Sequence, residues 1–300
     1  MLLCSRKSLK NVKLTWHLTK ILLLNLKDST QTIYDLTPDL PDFHPHGIAL
    51  WRADSGRIFL FAVNHHTDKT HAIERFEYKA EQLIHLESIS DMDKMTSPND
   101  LVATGARSFY VTNDHYYSKE GLSRTLEDYL QRAISFVNYY DGRTFTTVVS
   151  GIAYANGIQA NADRTELYVA STTGRKILIY EPNRTSGALK LKQEIIAETG
   201  VDNIETDGDG NLWIGCHPQL LKFVAHAANA SNYSPSQIIR LKRNHKGDFI
   251  QQEVFLNDGA TYSGSTTGVP FKNMLYIGSV FEPALLKIII DDKDSSPHPY

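Results

Sequence analysis

The chain is built from short runs of apolar residues, separated by polar turns that contain Asn, Asp or Gly. Runs of this length that are rich in aromatic and β-branched residues predict β-strands. One unit recurs: a polar marker residue, a short apolar strand, a turn and a second apolar strand. The five marker residues are His46, Asn99, Asn156, Asn203 and Ser265.

The spacing of these markers predicts the architecture. Successive markers are roughly 50 residues apart, which is typical of a propeller blade of four antiparallel strands. At this period the 300 residues predict an all-β, six-bladed β-propeller with an incomplete first blade. We expect a single domain over residues 1–300, with an irregular segment over residues 1–20. A β-sandwich is the alternative, but it does not explain why Asn/Asp-Gly turns recur at one phase.

One segment breaks the strand pattern. Apolar residues between Leu126 and Val137 fall at helical spacing after Ser123 and Thr125, which are suitable capping residues. They predict an amphipathic helix over residues 123–137. This helix is a lid over the channel mouth, a membrane-facing patch or a plain packing helix.

Composition and charge narrow the function classes. The formal net charge is −3, so nothing attracts the chain to nucleic acid, and we expect no nucleic-acid partner. Two cysteines, Cys4 and Cys216, exclude a disulfide framework or a Cys-rich metal site. No signal peptide is readable, although sequons at Asn183, Asn229 and Asn232 are compatible with a secreted glycoprotein.

Oxygen-bearing side chains recur at the marker positions. Because equivalent segments of successive blades converge on the propeller channel, we expect these side chains to be neighbours. Amide and carboxylate oxygens without thiolates suit Ca²⁺, which accepts six to eight such ligands. Taken singly, each residue has the alternative role of forming a turn. The residues are Asn99, Asp100, Asn156, Asp202 and Asn203.

Histidines form a second group. His46 and His65 lie at or near blade turns, so one imidazole could take a proton from water while the other holds its tautomer. Zinc binding by His44, His46 and a third histidine is the alternative, because a His-x-His strand places both rings on one face.

Eight short blocks, in order along the chain, resemble the paraoxonase/arylesterase family of calcium-dependent six-bladed propeller hydrolases. They include Pro45-His-Gly-Ile48, Asn99-Asp-Leu-Val102 and Leu212-Trp-Ile-Gly-Cys-His-Pro218. The remaining blocks lie at residues 63–65, 112–116, 155–158, 201–204 and 278–281. The resemblance extends from about residue 20 to about residue 290.

The resemblance implies two calcium ions. The catalytic ion would be bound by Asn99, Asn156, Asp202 and Asn203. The structural ion would be bound by Asp100 and the backbone carbonyl of Ile48. His46, assisted by His65, resembles the water-activating pair of the family.

The resemblance also implies hydrolysis of aryl esters and lactones in a largely apolar pocket. It implies an extracellular protein, and it assigns the 123–137 helix as the lid. The residues that match pocket-lining positions are Tyr154, Asp114, His115, His217, Thr266, Val280 and Phe281.

The sequence also departs from the family pattern. The family supplies one more ligand to each calcium from a Glu-Asp pair upstream of the His-Gly block, and residues 1–43 contain no such pair. No cysteine follows Phe281 to form the family's disulfide. A non-catalytic propeller with a structural calcium is therefore one alternative. A relative of gluconolactonase or strictosidine synthase is another.

Overall fold

The computed structural model describes residues 2–5, 20–26, 31–116 and 133–290. These residues form an all-β propeller with one helix, and the fold class predicted from the repeat is confirmed. None of the described helices is long and apolar enough to cross a membrane.

Five antiparallel sheets each begin with a strand that carries a marker residue. The first three of them in the chain contain four strands each. The strands of these three sheets are β4 (Pro45–Arg52), β5 (Ile58–His65), β6 (His71–Lys79), β7 (Gln82–Ile89), β8 (Pro98–Ala103), β9 (Phe109–Asn113), β10 (Ala133–Tyr140), β11 (Phe145–Ala153), β12 (Ala155–Ala160), β13 (Leu167–Ser171), β14 (Lys176–Pro182) and β15 (Leu189–Ile196). In each sheet the strands follow one another in chain order.

The two remaining sheets of the repeat follow in the chain, and one of them includes the helix between its second and third strands. Their elements are β16 (Gly200–Thr206), β17 (Leu212–His217), α1 (Leu220–Ala228), β18 (Ser236–Arg243), β19 (Phe249–Asn257), β20 (Ser265–Phe271), β21 (Met274–Ser279) and β22 (Leu286–Ile289).

The described residues therefore form five blades of the repeated unit rather than the six expected. A further sheet of three strands carries no marker residue. It consists of β1 (Leu2–Ser5), β2 (Lys20–Leu24) and β3 (Ile33–Asp35). It does not count as a repeat because its described strands do not include one that carries a marker residue, as the first strand of each blade does.

The predicted helix over residues 123–137 does not coincide with α1, the helix among the described residues. Residues 117–132 lie outside the described residues, but residues 133–137 belong to β10. Ala133–Tyr140 is rich in aromatic and β-branched residues, and it pairs with both β9 and β11. Pairing on both edges outweighs the helical spacing of a few apolar residues.

The chain divides into two compact units. The first contains the described residues of Met1–Ile158 and Glu181–Lys190, and the second contains those of Gln159–Tyr180 and Leu191–Tyr300. Each unit has its own apolar core, around Phe61 and Phe109 in the first and around Trp213 and Ile239 in the second. Each large apolar side chain buried in this way stabilises the fold by about 1.5–3 kcal/mol. The single domain predicted over residues 1–300 stays a prediction.

Candidate functional site

The marker residues lie inside strands, not in turns as the sequence suggested. In four blades the first strand contains one extra residue relative to its neighbour, which is a β-bulge. A bulge bends the strand and redirects a side chain, and bulges are frequent beside active sites. The bulges lie between register pairs at Pro45 and Ile48, Pro98 and Leu101, Val201 and Ile204, and Ser265 and Thr267.

In the first unit, Asn99 is buried and is held by the carboxylate of Asp114. Nδ2 of Asn99 donates a hydrogen bond of 2.9 Å to Oδ2 of Asp114. Because a carboxylate only accepts hydrogen bonds, this contact fixes which end of the amide faces Asp114. Oδ1 of Asn99 is buried and has no hydrogen-bond partner among the residues that the structure describes.

Asp114 also binds its neighbours through its second oxygen. Ser97 Oγ donates to Oδ1 at 2.5 Å, and His115 Nδ1 lies 2.7 Å from the same atom. Burial on its own raises the pKa of the Asp114 carboxyl. The hydrogen bond and charge of His115, with the hydrogen bonds from Ser97 and Asn99, outweigh burial and hold this pKa below its usual range. Asp114 is therefore a carboxylate that orients Asn99.

The hydroxyl of Thr112 links the backbones of Asp100 and Asn156, and the carboxylate of Asp100 binds the backbone of Ile158. Oδ2 of Asp100 accepts a hydrogen bond of 3.0 Å from the backbone N–H of Ile158. Thr112 Oγ1 accepts from the backbone N–H of Asp100 at 3.1 Å and donates to the backbone oxygen of Asn156 at 2.6 Å. Asp100 and Asn156 are both buried, and Ile48 is half-buried in β4.

Three histidines of the first unit lie in series. The ring centroids of His46 and His65 are 5.2 Å apart and their planes are nearly perpendicular. Nδ1 of His65 lies 2.9 Å from Nδ1 of His71. The sequence analysis did not identify His71. In the structure, the register of the β5–β6 hairpin places His71 opposite His65. Predicting this register from the sequence would have identified His71.

Two of the predicted pocket residues of the first unit contact each other. The rings of His115 and Tyr154 have centroids 5.0 Å apart and meet edge to face. Tyr154 adopts a left-handed backbone conformation with φ 57°, which is uncommon for a residue with a side chain. The strain is localised at the junction between β11 and β12, where Tyr154 lies.

In the second unit, Asp202 is paired with His217. Oδ2 of Asp202 lies 2.9 Å from Nε2 of His217, and both residues are buried. Because the carboxylate accepts, Nε2 of His217 carries the proton of this hydrogen bond. Nδ1 of His217 is buried without a hydrogen-bond partner among the described residues.

Aromatic residues cover this pair. The ring of Phe223, on α1, is stacked on His217 at a centroid distance of 3.7 Å. Phe281 contacts Phe223 at 6.1 Å and His226 at 5.2 Å between ring centroids. The sequence analysis missed Phe223 because it had not predicted α1.

The other predicted residues of the second unit are placed as follows. Nδ2 of Asn203 donates to the backbone oxygen of Thr266 at 3.1 Å. Thr266 is buried and Val280 is half-buried. The predicted calcium ligands thus fall in both units, and their arrangement around one ion stays a prediction.

The chemistry of the donors distinguishes the two metals considered. Among the residues that the structure describes, no group of three or more His, Cys, Asp or Glu side chains is arranged to hold a metal ion. This gives the zinc alternative no support. A site formed largely by the side-chain oxygens of Asn residues contains too few His, Cys, Asp or Glu residues to belong to such a group. Asn99 fits such a site, because its carbonyl oxygen is buried, held in orientation and without a hydrogen-bond donor in the described part of the chain.

Comparison with known proteins identifies relatives over most of the chain. A family model described as arylesterase matches residues 15–287. Serum paraoxonase/arylesterase 1 of Mus musculus is 34% identical over 274 residues, which cover 89% of this chain and 76% of the mouse protein. Serum paraoxonase/arylesterase 2 of Rattus norvegicus is 32% identical over 274 residues, with coverage of 88% and 75%.

Solved structures with a similar fold are much more distant in sequence. A 6-phosphogluconolactonase candidate from Bacteroides uniformis superimposes with a TM-score of 0.55 at 11% identity, covering 98% of this chain and 80% of that chain. The PQQ-bound aldose sugar dehydrogenase of Streptomyces coelicolor gives a TM-score of 0.53 at 13% identity, covering 89% and 87%. At this identity the likeness shows the fold alone.

Proposed function

Because the chain belongs to the arylesterase family, we propose that it is a hydrolase of aryl esters and lactones that depends on bound calcium. The serum paraoxonase/arylesterases among its relatives carry an esterase activity in their names. A candidate 6-phosphogluconolactonase shares the propeller fold at 11% identity, a likeness that concerns the fold alone.

The observation that carries the calcium proposal is the buried, unpartnered carbonyl oxygen of Asn99 among the described residues. An unsatisfied buried oxygen destabilises the fold by about 1–3 kcal/mol unless something outside the protein satisfies it. Asp114 prevents the amide from turning this oxygen toward itself, since the carboxylate has only acceptors to offer. A hard cation is the partner that an amide oxygen in this position suits.

Residues of the first unit would hold calcium through oxygen alone. Two ions are proposed. Asn99 and Asn156, with Asp202 and Asn203 of the second unit, are the proposed ligands of a catalytic calcium. Asp100 and the backbone carbonyl of Ile48 are the proposed ligands of a structural calcium. When bound, calcium supplies a Lewis acid that polarises the carbonyl oxygen of an ester or lactone. The proposed pocket residues are Tyr154, Asp114, His115, His217, Thr266, Val280 and Phe281.

The proposed base is His46. A neutral imidazole can accept a proton from a water molecule through the lone pair of one ring nitrogen. His65 lies against His46 and would keep its ring in one orientation. Asn99, held by Asp114, would thus help to hold the calcium beside the ester carbonyl. His46 would take a proton from the attacking water.

Hydrolysis of phenyl acetate and of a δ-lactone tests this function. We expect the purified chain to cleave both in the presence of calcium and to lose activity in EGTA. Asn99→Ala should lower kcat/KM by about 100-fold or more, because the ester carbonyl is no longer polarised. Asn273→Ala, at an exposed turn, is the matched control and should behave as wild type.

Two results would contradict the proposal. Full activity in chelator would remove calcium from the mechanism. Wild-type rates in Asn99→Ala would remove the site. Absence of hydrolysis, together with calcium binding in calorimetry, would favour a non-catalytic propeller instead.

A further inference from the structure

We propose that His71 is a positioning residue that fixes the ring of His65 and carries away the proton that hydrolysis releases. The inference rests on the proposed hydrolase function and deepens it. It assigns the exit route of the proton, and it adds a third histidine to the pair His46 and His65.

The hairpin between β5 and β6 brings His71 to His65. The two strands are antiparallel, and His65 and His71 form their terminal register pair. Backbone pairing therefore holds the two residues directly opposite each other. Their ring centroids lie 4.7 Å apart, the ring planes are nearly perpendicular, and the two Nδ1 atoms are 2.9 Å apart.

The distance between these nitrogens dictates their protonation. Two imidazole nitrogens at 2.9 Å form a hydrogen bond only if one carries a proton and the other presents its lone pair. The pair therefore exists with both rings neutral or with one ring charged. Two imidazolium rings would place two N–H donors against each other and break the contact.

The same contact determines which nitrogen serves His46. Because Nδ1 of His65 is engaged with His71, Nε2 is the nitrogen of His65 that remains for His46. The rings of His46 and His65 contact each other at 5.2 Å between centroids. His46, His65 and His71 thus form one series in the first unit.

Each step of the proton transfer balances. Ester hydrolysis at neutral pH produces an alcohol, a carboxylate and one proton. A proton passed on by His46 binds Nε2 of His65, and the Nδ1 proton of His65 moves to Nδ1 of His71. His71 then releases its Nε2 proton to solvent water or buffer. No bond other than N–H and O–H changes, and no oxidant or reductant takes part.

The surroundings of His71 suit the last member of such a series. His71 is half-buried, and it follows a turn in which Thr67, Asp68 and Lys69 are exposed. The series therefore begins at the bulge of β4 and ends beside an exposed turn. His65 is also half-buried, but its ring contacts the rings of both His46 and His71, whereas His71 is the member of the series beside the exposed turn.

Variants of His71 test the proposal. Glutamine in His71→Gln can still hydrogen-bond His65 but cannot carry a proton, and His71→Ala removes both functions. We expect kcat for phenyl acetate to fall about tenfold in both variants with KM unchanged, since positioned proton transfer contributes to the rate and not to binding. Added imidazole buffer should restore kcat in both.

His66→Gln is the matched control. His66 is the neighbour of His65 in sequence, but its Nε2 lies 3.0 Å from Nδ2 of Asn64 and 3.7 Å from Glu74. It therefore tests the loss of a histidine from the same hairpin without the contact to His65. We expect wild-type kcat and no response to imidazole.

The hydrogen bond itself has a spectroscopic signature. Long-range ¹H–¹⁵N spectra of the wild-type chain should show a proton bound at Nδ1 of His65 or His71, and the signals of His65 should change in His71→Ala. This readout is independent of activity. Unchanged signals of His65 would overturn the contact.

The outcomes separate this proposal from the function on which it rests. If wild type hydrolyses the ester and His71→Gln does so at the wild-type kcat, the proton route is overturned and the function stands. A loss that imidazole does not restore would overturn the route as well. If calcium-loaded wild type hydrolyses neither substrate, both proposals fail.

Discussion

At the scale of single residues, the site depends on how one polar group orients the next. Asp114 accepts hydrogen bonds from Ser97 and Asn99 and contacts His115, and it is the reason that the Asn99 amide has a single orientation. In the second unit, Asp202 similarly holds His217. Cys216, next to His217, is buried, and burial raises the pKa of its thiol well above the usual value, so the thiol stays protonated.

Replacing Asp114 tests this role. Asp114→Asn places an amide against the donors of Ser97 and Asn99, and we expect it to destabilise the fold by about 3 kcal/mol. The measurement is urea unfolding at pH 7. Asp54→Asn, at an exposed turn, is the control and should have no effect.

The pH dependence of the same variant follows from the lowered pKa. Since the Asp114 pKa in the folded state is below its unfolded value, its contribution is complete above about pH 3.9 and is lost as the pH falls toward the folded pKa. Wild type should therefore lose stability below about pH 4 more steeply than Asp114→Asn. Equal acid profiles would contradict the assignment.

At the scale of elements, the β-bulges bend the first strands of four blades and redirect their polar side chains. The extra residue falls at the marker position in β4, β8 and β16 and directly after the marker Ser265 in β20. In the first unit the bulge of β4 packs closely against that of β8. A Cβ atom added at Gly47 would lie 2.5 Å from the backbone oxygen of Asn99 and 2.6 Å from Cα of Asp100.

Gly47→Ala tests how tightly these two bulges must pack. The neighbours of the added methyl are backbone atoms, which cannot rotate away, so we expect a loss of about 3 kcal/mol in unfolding free energy. Activity should fall with it, because Asn99 and Asp100 would be displaced. The matched control is Gly208→Ala, where the added methyl meets nothing within 4 Å. Similar stability of the two variants would show that β4 and β8 can separate without cost.

At the scale of the whole molecule, the fold and the family carry different information. The propeller fold is shared with a lactonase candidate and with a sugar dehydrogenase. The fold alone therefore does not select hydrolysis. The match to the arylesterase family model over residues 15–287 does indicate hydrolysis. The calcium proposal also predicts an effect on the stability of the fold.

Calcium should stabilise the folded chain. A ligand that binds only the folded state at one hundred times its dissociation constant adds about 2.7 kcal/mol to the unfolding free energy. We expect urea unfolding to shift by about this amount between EGTA and saturating calcium, and to shift far less with magnesium. Asn99→Ala should reduce the shift. An identical unfolding midpoint in EGTA and in calcium would contradict a calcium site in the native protein.

The sequence by itself determined the fold class, the family and the candidate chemistry. Strand-length apolar runs and a repeat of polar markers are patterns that can be recognised in the amino-acid sequence without knowledge of long-range contacts. They were enough to predict a propeller and to single out Asn99, His46 and His65, whereas Asp114 was implied by the family resemblance.

Only the tertiary structure decided how those residues are oriented. The bulges, the pairing of His65 with His71 and the contact between Asp202 and His217 depend on strand register, which backbone pairing across the sheet sets. The same long-range pairing made residues 133–137 a strand where local spacing predicted a helix. Hydrophobic periodicity says which residues are buried, but it does not say which neighbours they meet there.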